Sequence, residues 1–157
     1  MLKSMAVVFL MIFILVSCSQ SPDIATEKEN IKKAVIDRHE AYKNIDYESF
    51  ISFWMHESYV SKDWFGSNIT VGWDSLQPKF QKWFDKMEND PDQHKIERFD
   101  LSDFDISLNG NIAHVFYTVG GKAIYKGEID TSKAVVLNFL EKQDGQWKIV
   151  FETYPGQ

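Results

Sequence analysis

Two four-residue segments, Leu108-Asn109-Gly110-Asn111 and Gln143-Asp144-Gly145-Gln146, constrain the fold of this 157-residue chain more than any other feature. Asn-Gly and Asp-Gly between apolar runs are strong hairpin signals, because a type I′ turn needs positive φ at both central residues. Each turn therefore sets a register. In the second, Lys142 is expected to face Trp147, Leu140 to face Ile149, Asn138 to face Phe151 and Val136 to face Thr153. The opposite side then carries Val135, Leu137, Phe139, Val150 and Tyr154, so both faces are apolar. A sheet with one wet side alternates. This hairpin asks for cover on both sides: helices on one, and a partner subunit or further protein on the other.

In the strand before Asn109 the apolar positions run Phe99, Leu101, then Phe104, Ile106, Leu108, and their parity flips near Ser102-Asp103. A one-residue bulge there keeps all five on one face and bends the strand, which curls a sheet around a cavity. Gly120-Gly121 would do the same in the next strand. The first half of the chain has helical spacing instead. Ile31, Ala34, Val35, Arg38, Ala41 and Tyr42 form one stripe with two polar groups in it. Asp46 is placed to cap a short second helix bearing Phe50, Phe53 and Trp54. A third carries Leu76, Phe80, Trp83, Phe84 and Met87, with Asp74 as its expected cap, Gln77 as capping-box partner, Pro78 in the first turn and Pro91 beyond the end.

The N-terminus has an address. Lys3 precedes an apolar run from Met5 to Val16, too short to span a bilayer, which ends in Leu15-Val16-Ser17-Cys18. That tail resembles a bacterial lipobox. The resemblance implies a signal peptide at 1–17, lipidation of Cys18, and a mature chain anchored through that lipid in the bacterial cell envelope, with Ser19 favouring the outer membrane. Two or three acyl chains make a lasting anchor where one does not. Residues 18–29, polar and aperiodic with Pro22, read as a tether, and 30–157 as one domain. Loss of Lys3 leaves a mature net charge of −7 rather than −6, and only Arg38 and Arg98 carry guanidinium groups, so a nucleic-acid partner is not expected. Cys18 is the only cysteine, which excludes disulfides and thiolate chemistry in the domain. His39, His56 and His94 lack metal-ligand spacing, and there is no phosphate loop or nucleophile elbow; neither a metal nor a cofactor is expected.

Three N-terminal helices, the Val71-Gly72-Trp73-Asp74 lead into the third, a long bent sheet and the closing hairpin Leu140–Ile149 resemble the nuclear transport factor 2-like superfamily. The similarity covers about residues 27–154 and is greatest to its SnoaL-like and ketosteroid-isomerase-like branch. It implies an α+β fold: a cone-shaped, curved antiparallel sheet packed against three helices, often paired as a homodimer through the outer sheet face. The same cone serves isomerases, dehydratases, cyclases, binding modules and assembly domains.

An isomerase of this kind needs a carboxylate base and a tyrosine to hold the oxyanion. The resemblance puts Tyr42 in the tyrosine's region, whereas His56, Glu57 and Asp63 stand where a catalytic aspartate is expected without matching a motif. Glu97 shares the Phe99 face near the strand's start, where it would enter the cone's mouth and have its pKa raised by burial, or else sit wetted on the rim. Tyr117 shares that face. Asn138 interrupts an apolar strand, either to bind a ligand or to satisfy a buried partner. His114 would pair with Asp105 on the outside. Trp54, Trp64 and Trp73 would surround the entrance and suit an apolar or ring-containing ligand, while Trp83 and Trp147 read as core. Two functions stay open. One is a lipid-anchored module binding a small apolar molecule or a protein partner. The other is an isomerase, hydratase or cyclase using Glu97 or Asp63 as base and Tyr42 or Tyr117 as oxyanion donor.

Overall fold

The structure, a computed structural model, describes residues 23–64 and 68–155. The expected signal peptide, Cys18 and residues 19–22 of the tether lie outside the described residues. Helix α1 (Ile24–Lys43) turns Ile31, Val35, Arg38 and Ala41 inward. It begins within the stretch expected to be tether. Glu27, in its first turn, is buried because it accepts hydrogen bonds from Lys142 Nζ and Trp147 Nε1, each 2.8 Å away. Those partners are more than a hundred residues distant, so no local period could announce them. None of the described helices is long and apolar enough to cross a membrane.

Helix α2 (Tyr47–Ser52) is capped by Asp46, whose carboxylate accepts the Ser49 backbone N–H at 3.0 Å. Two short strands follow, β1 (Ser61–Asp63) and β2 (Ile69–Val71). Helix α3 (Trp73–Asn89) buries Leu76, Phe80, Phe84 and Met87 at the expected spacing. Its cap is Gly72 at φ 87° and not Asp74. The Gly72 and Trp73 N–H groups donate to the Val60 and Glu57 carbonyls, tying the helix start to the loop before β1. Asp74 thereby moves into the first turn, where its charge suits the helix dipole, and Pro78 into the second.

The second half forms β3 (His94–Asn109), β4 (Ile112–Tyr125), β5 (Glu128–Asp130), β6 (Ala134–Gln143) and β7 (Gln146–Thr153). The strand order is β2-β1-β7-β6-β4-β3, with β5 added to β4. Among these strands every pairing is antiparallel except β1 with β7, and a parallel bridge of Trp54 to Ile149 adjoins it, so the sheet is mixed.

Register decides the site. The bulge falls where the parity flip puts it, between Ser102 and Asp105, with Asp103 at φ 56°. Phe99, Leu101, Phe104, Ile106 and Leu108 accordingly share the half-buried inner side. The second irregularity lies in β3 at Glu97, beside Gly121 rather than within Gly120-Gly121. A Cβ on Gly121 would stand 2.0 Å from the Arg98 carbonyl oxygen. The first turn also differs, because Asn109 pairs with Ile112 and the loop is Gly110-Asn111. Glycine comes first at φ 59°, the type II′ arrangement. His114 therefore faces Ser107, and Asp105 faces Phe116.

The closing hairpin keeps the expected register from its turn to Leu140–Ile149 and then slips by one residue at Val150. Beyond the slip Asn138 faces Glu152 and Phe139 faces Phe151. Phe151 goes to the outer side and Glu152 into the core.

Candidate functional site

The slip builds a charged cluster inside the cone. Glu152 is 0 % exposed. Its carboxylate is paired with Arg38 Nη2 at 2.9 Å and with Lys62 Nζ. Asn138 donates its amide N–H to Glu152 at 3.1 Å, and the Tyr154 hydroxyl donates at 3.1 Å. Tyr117 donates to Asn138 Oδ1 at 3.0 Å and accepts from Arg38 at 3.1 Å. Each partner arrives by a different route: Arg38 from the polar gap in the α1 stripe, Lys62 from β1, Tyr117 from β4, Asn138 from β6. Every lone pair of the carboxylate is thus engaged, which is what makes a buried charge tolerable.

Burial alone would raise the Glu152 pKa, but Arg38 and Lys62 together outweigh it and hold the carboxyl well below its usual range. Burial pushes Lys62 down against the pull of Glu152, since two cations share one anion. Burial likewise pushes the Tyr117 and Tyr42 hydroxyls up. His39, also buried, is held down to about 3 by burial and by the neighbouring Arg38. Its Nδ1 lies 2.9 Å from the Val35 carbonyl, which can only accept, so Nδ1 carries the proton. Nε2, 3.2 Å from Arg38 Nη2, is then the acceptor, and the ring is neutral.

Of the residues expected to line a pocket, Tyr117 and Asn138 belong to this cluster. The others do not converge on it as a ligand site. Tyr42 packs in an aromatic group with Phe50, Phe84 and Phe99. Trp54 is core, against Phe50 and Phe80. Trp73 is buried with its ring stacked 3.9 Å from His56. Trp64 lines a cleft, about 360 Å³ in volume, with Asn68, Ile69, Lys79 and Lys82, while its ring lies 5.1 Å from Lys62 Nζ. Glu97 is an exposed partner of Lys122 at 2.7 Å, which lowers its pKa instead of raising it. The irregularity that frees it from the strand pairing also turns it outward. Asp63 accepts from Thr153 at 2.9 Å, because the alternation of β1 turns its neighbour Lys62 toward the cluster. The other Asp63 carboxylate oxygen, Oδ1, is buried with no hydrogen-bond partner among the described residues. Among the described residues no three His, Cys, Asp or Glu gather as a metal site.

Lys62, Glu152, Tyr154 and His39 were not among the expected site residues. Arg38 had a visible signal, a charged group within an apolar stripe. Glu152 had none, since the unbroken register puts Phe151 in its place.

N-terminal helices packed on a curved, mixed seven-stranded sheet define the class of this α+β domain. A model of the SnoaL-like domain matches residues 31–154, and the chain belongs to that family. Comparison with curated protein sequences found no match. Among solved structures, a provisionally named dehydratase of the nuclear transport factor 2-like family from Streptomyces avermitilis is 20% identical, with a TM-score of 0.69, 82% of this chain covered and 94% of that one. A provisionally named scytalone dehydratase from Novosphingobium aromaticivorans is 14% identical, with a TM-score of 0.70 and 83% of each chain covered. A nuclear transport factor 2-like protein from Cytophaga hutchinsonii is 14% identical, with a TM-score of 0.64, 82% of this chain covered and 96% of that one. These likenesses establish the fold.

Proposed function

We propose that this chain is an envelope-anchored lipoprotein whose SnoaL-like domain is a binding module rather than a catalyst, pairing with a second copy through its outer sheet face. The observation that carries the non-catalytic reading is the state of Glu152. A general base must be free to take a proton near the working pH, and this carboxylate is sealed between two cations. The dehydratase names of two structural relatives point the other way, toward proton transfer in the same cone. That chemistry needs a carboxylate or imidazole free to take a proton; here Glu152 is paired with Arg38, Lys62 and Asn138, and His39 Nε2 faces Arg38 Nη2 at 3.2 Å.

The partner side of the reading rests on the outer face. Phe116 (37 % exposed), Val135 (44 %) and Phe139 (38 %) lie there with Leu137 and Phe151. His114 extends the row, 6.0 Å from the Phe139 ring, and Phe139 is 6.0 Å from Phe151. Asp105, Ser107 and Glu141 border this strip, an apolar centre with a polar rim. Two chains anchored in one membrane face each other at high effective concentration, which favours a second copy as occupant. Light scattering of the full chain in mild detergent should give the mass of two protomers. Phe139→Asp should halve it with the circular dichroism spectrum unchanged. A monomeric parent chain refutes the pairing.

A further inference from the structure

We propose that the start of α1 and the two hairpin turns beside it form the membrane-facing end of the domain, held against the bilayer by a short leash; this rests on the lipoprotein reading above. A tether running from Cys18 to residue 29 would let the domain roam. The structure shortens it, because α1 is already helical at Ile24 and Glu27 is locked to Lys142 and Trp147 on the closing hairpin. Between Cys18 and Asp23 the chain can reach at most about 18 Å. A 12-residue tether would allow more than twice that.

The same hydrogen bonds say which end is close. Glu27 ties the α1 start to the Asp144-Gly145 hairpin, and the Lys142 N–H donates to the Asn111 carbonyl at 2.9 Å, joining that hairpin to the Gly110-Asn111 turn. Three chain segments therefore form one end. Ile24 and Ile112 expose apolar side chains there, at 65 % and 56 %. Its charges are mixed, with Lys28 and Lys32 against Asp23, Glu29 and Asp144. Near-neutral charge with two exposed isoleucines suits contact set by the leash, not by attraction to anionic lipid. The opposite end of β3, at His94–Ile96, lies roughly 50 Å away along a 16-residue strand, less its bends.

The test uses the full lipidated chain in phosphatidylcholine vesicles carrying an energy-transfer acceptor on the lipid headgroups. With Cys18 consumed by lipid, Gln143→Cys and Lys95→Cys each supply one exposed thiol for a donor dye, at the near and far ends. Transfer from position 143 should exceed that from position 95 several-fold. Equal transfer, or the reverse, overturns the orientation while leaving the anchor intact. Failure of the chain to sediment with vesicles overturns the lipoprotein reading and this proposal with it. A Gly/Ser insertion of about twelve residues after Ser19 should lower the position-143 signal toward that of position 95. An unchanged signal would show that the leash does not set the orientation.

Discussion

Replacing Glu152 with glutamine keeps the shape of the side chain and removes its charge, which leaves Arg38 and Lys62 buried without a counter-ion. Breaking a buried pair by removing one partner typically costs about 3–5 kcal/mol, because the remaining charge has lost both water and its mate. Here two cations are stranded, and Asn138 and Tyr154 lose a charged acceptor, so the upper part of that range applies. For a domain of this size the melting temperature should fall on the order of 10–20 °C. The companion change, Lys62→Met, relieves the excess positive charge while Glu152 keeps Arg38. It should cost less than Glu152→Gln, because the remaining ion pair of Glu152 with Arg38 is kept. Urea titration followed by tryptophan fluorescence measures both. The sign of the Glu152→Gln effect also bears on function, since an unpaired catalytic carboxylate held in a core destabilises the fold and its removal stabilises it. A loss below about 1 kcal/mol, or a gain, would refute both the sealed-cluster account and the non-catalytic reading.

The neutral His39 makes stability depend on pH. Its folded pKa of about 3 lies below the ordinary 6.5, so its contribution is complete above pH 6.5 and fades as pH falls toward 3. The slope is up to about 1.4 kcal/mol per pH unit. Glu152, also held low, adds a loss in the same direction below pH 4.5. The urea midpoint should thus be lower at pH 5 than at pH 7, and no change would contradict a buried neutral ring. Gly121→Ala, whose new Cβ would meet the Arg98 carbonyl at a φ of 138°, should cost about 2–4 kcal/mol and expose β3 and β4 amides to hydrogen exchange. Gly110→Ala, with nothing within 4 Å, should cost only about 1 kcal/mol. Equal losses would refute the close strand approach.

Local patterns carried the fold because they are enforced by neighbours in sequence. The α1 and α3 stripes, the Asp46 cap, the bulge beside Asp103 and the type I′ turn at Asp144-Gly145 all follow from spacing or backbone preference within a few residues. Taken together they pointed to the SnoaL-like family. The candidate site was only partly legible in the same way. Tyr117, Asn138 and Arg38 stood out as polar groups on apolar faces, but what they bind did not.

Glu152 reaches them through a single slip at Val150, and in a strand of period two a one-residue slip exchanges the faces of everything beyond it. That slip is coupled to contacts from distant elements, since it lets Glu152 meet Arg38 of α1 and Lys62 of β1. The start of α1 is another such case, because Glu27 is held by residues of the closing hairpin. Sequence alone therefore determined the three helices, the two long hairpins, the Asp144-Gly145 turn and the family. Only the tertiary structure decided which carboxylate lies inside and how close to Cys18 the domain begins, because both depend on charged groups that find their partners across the fold.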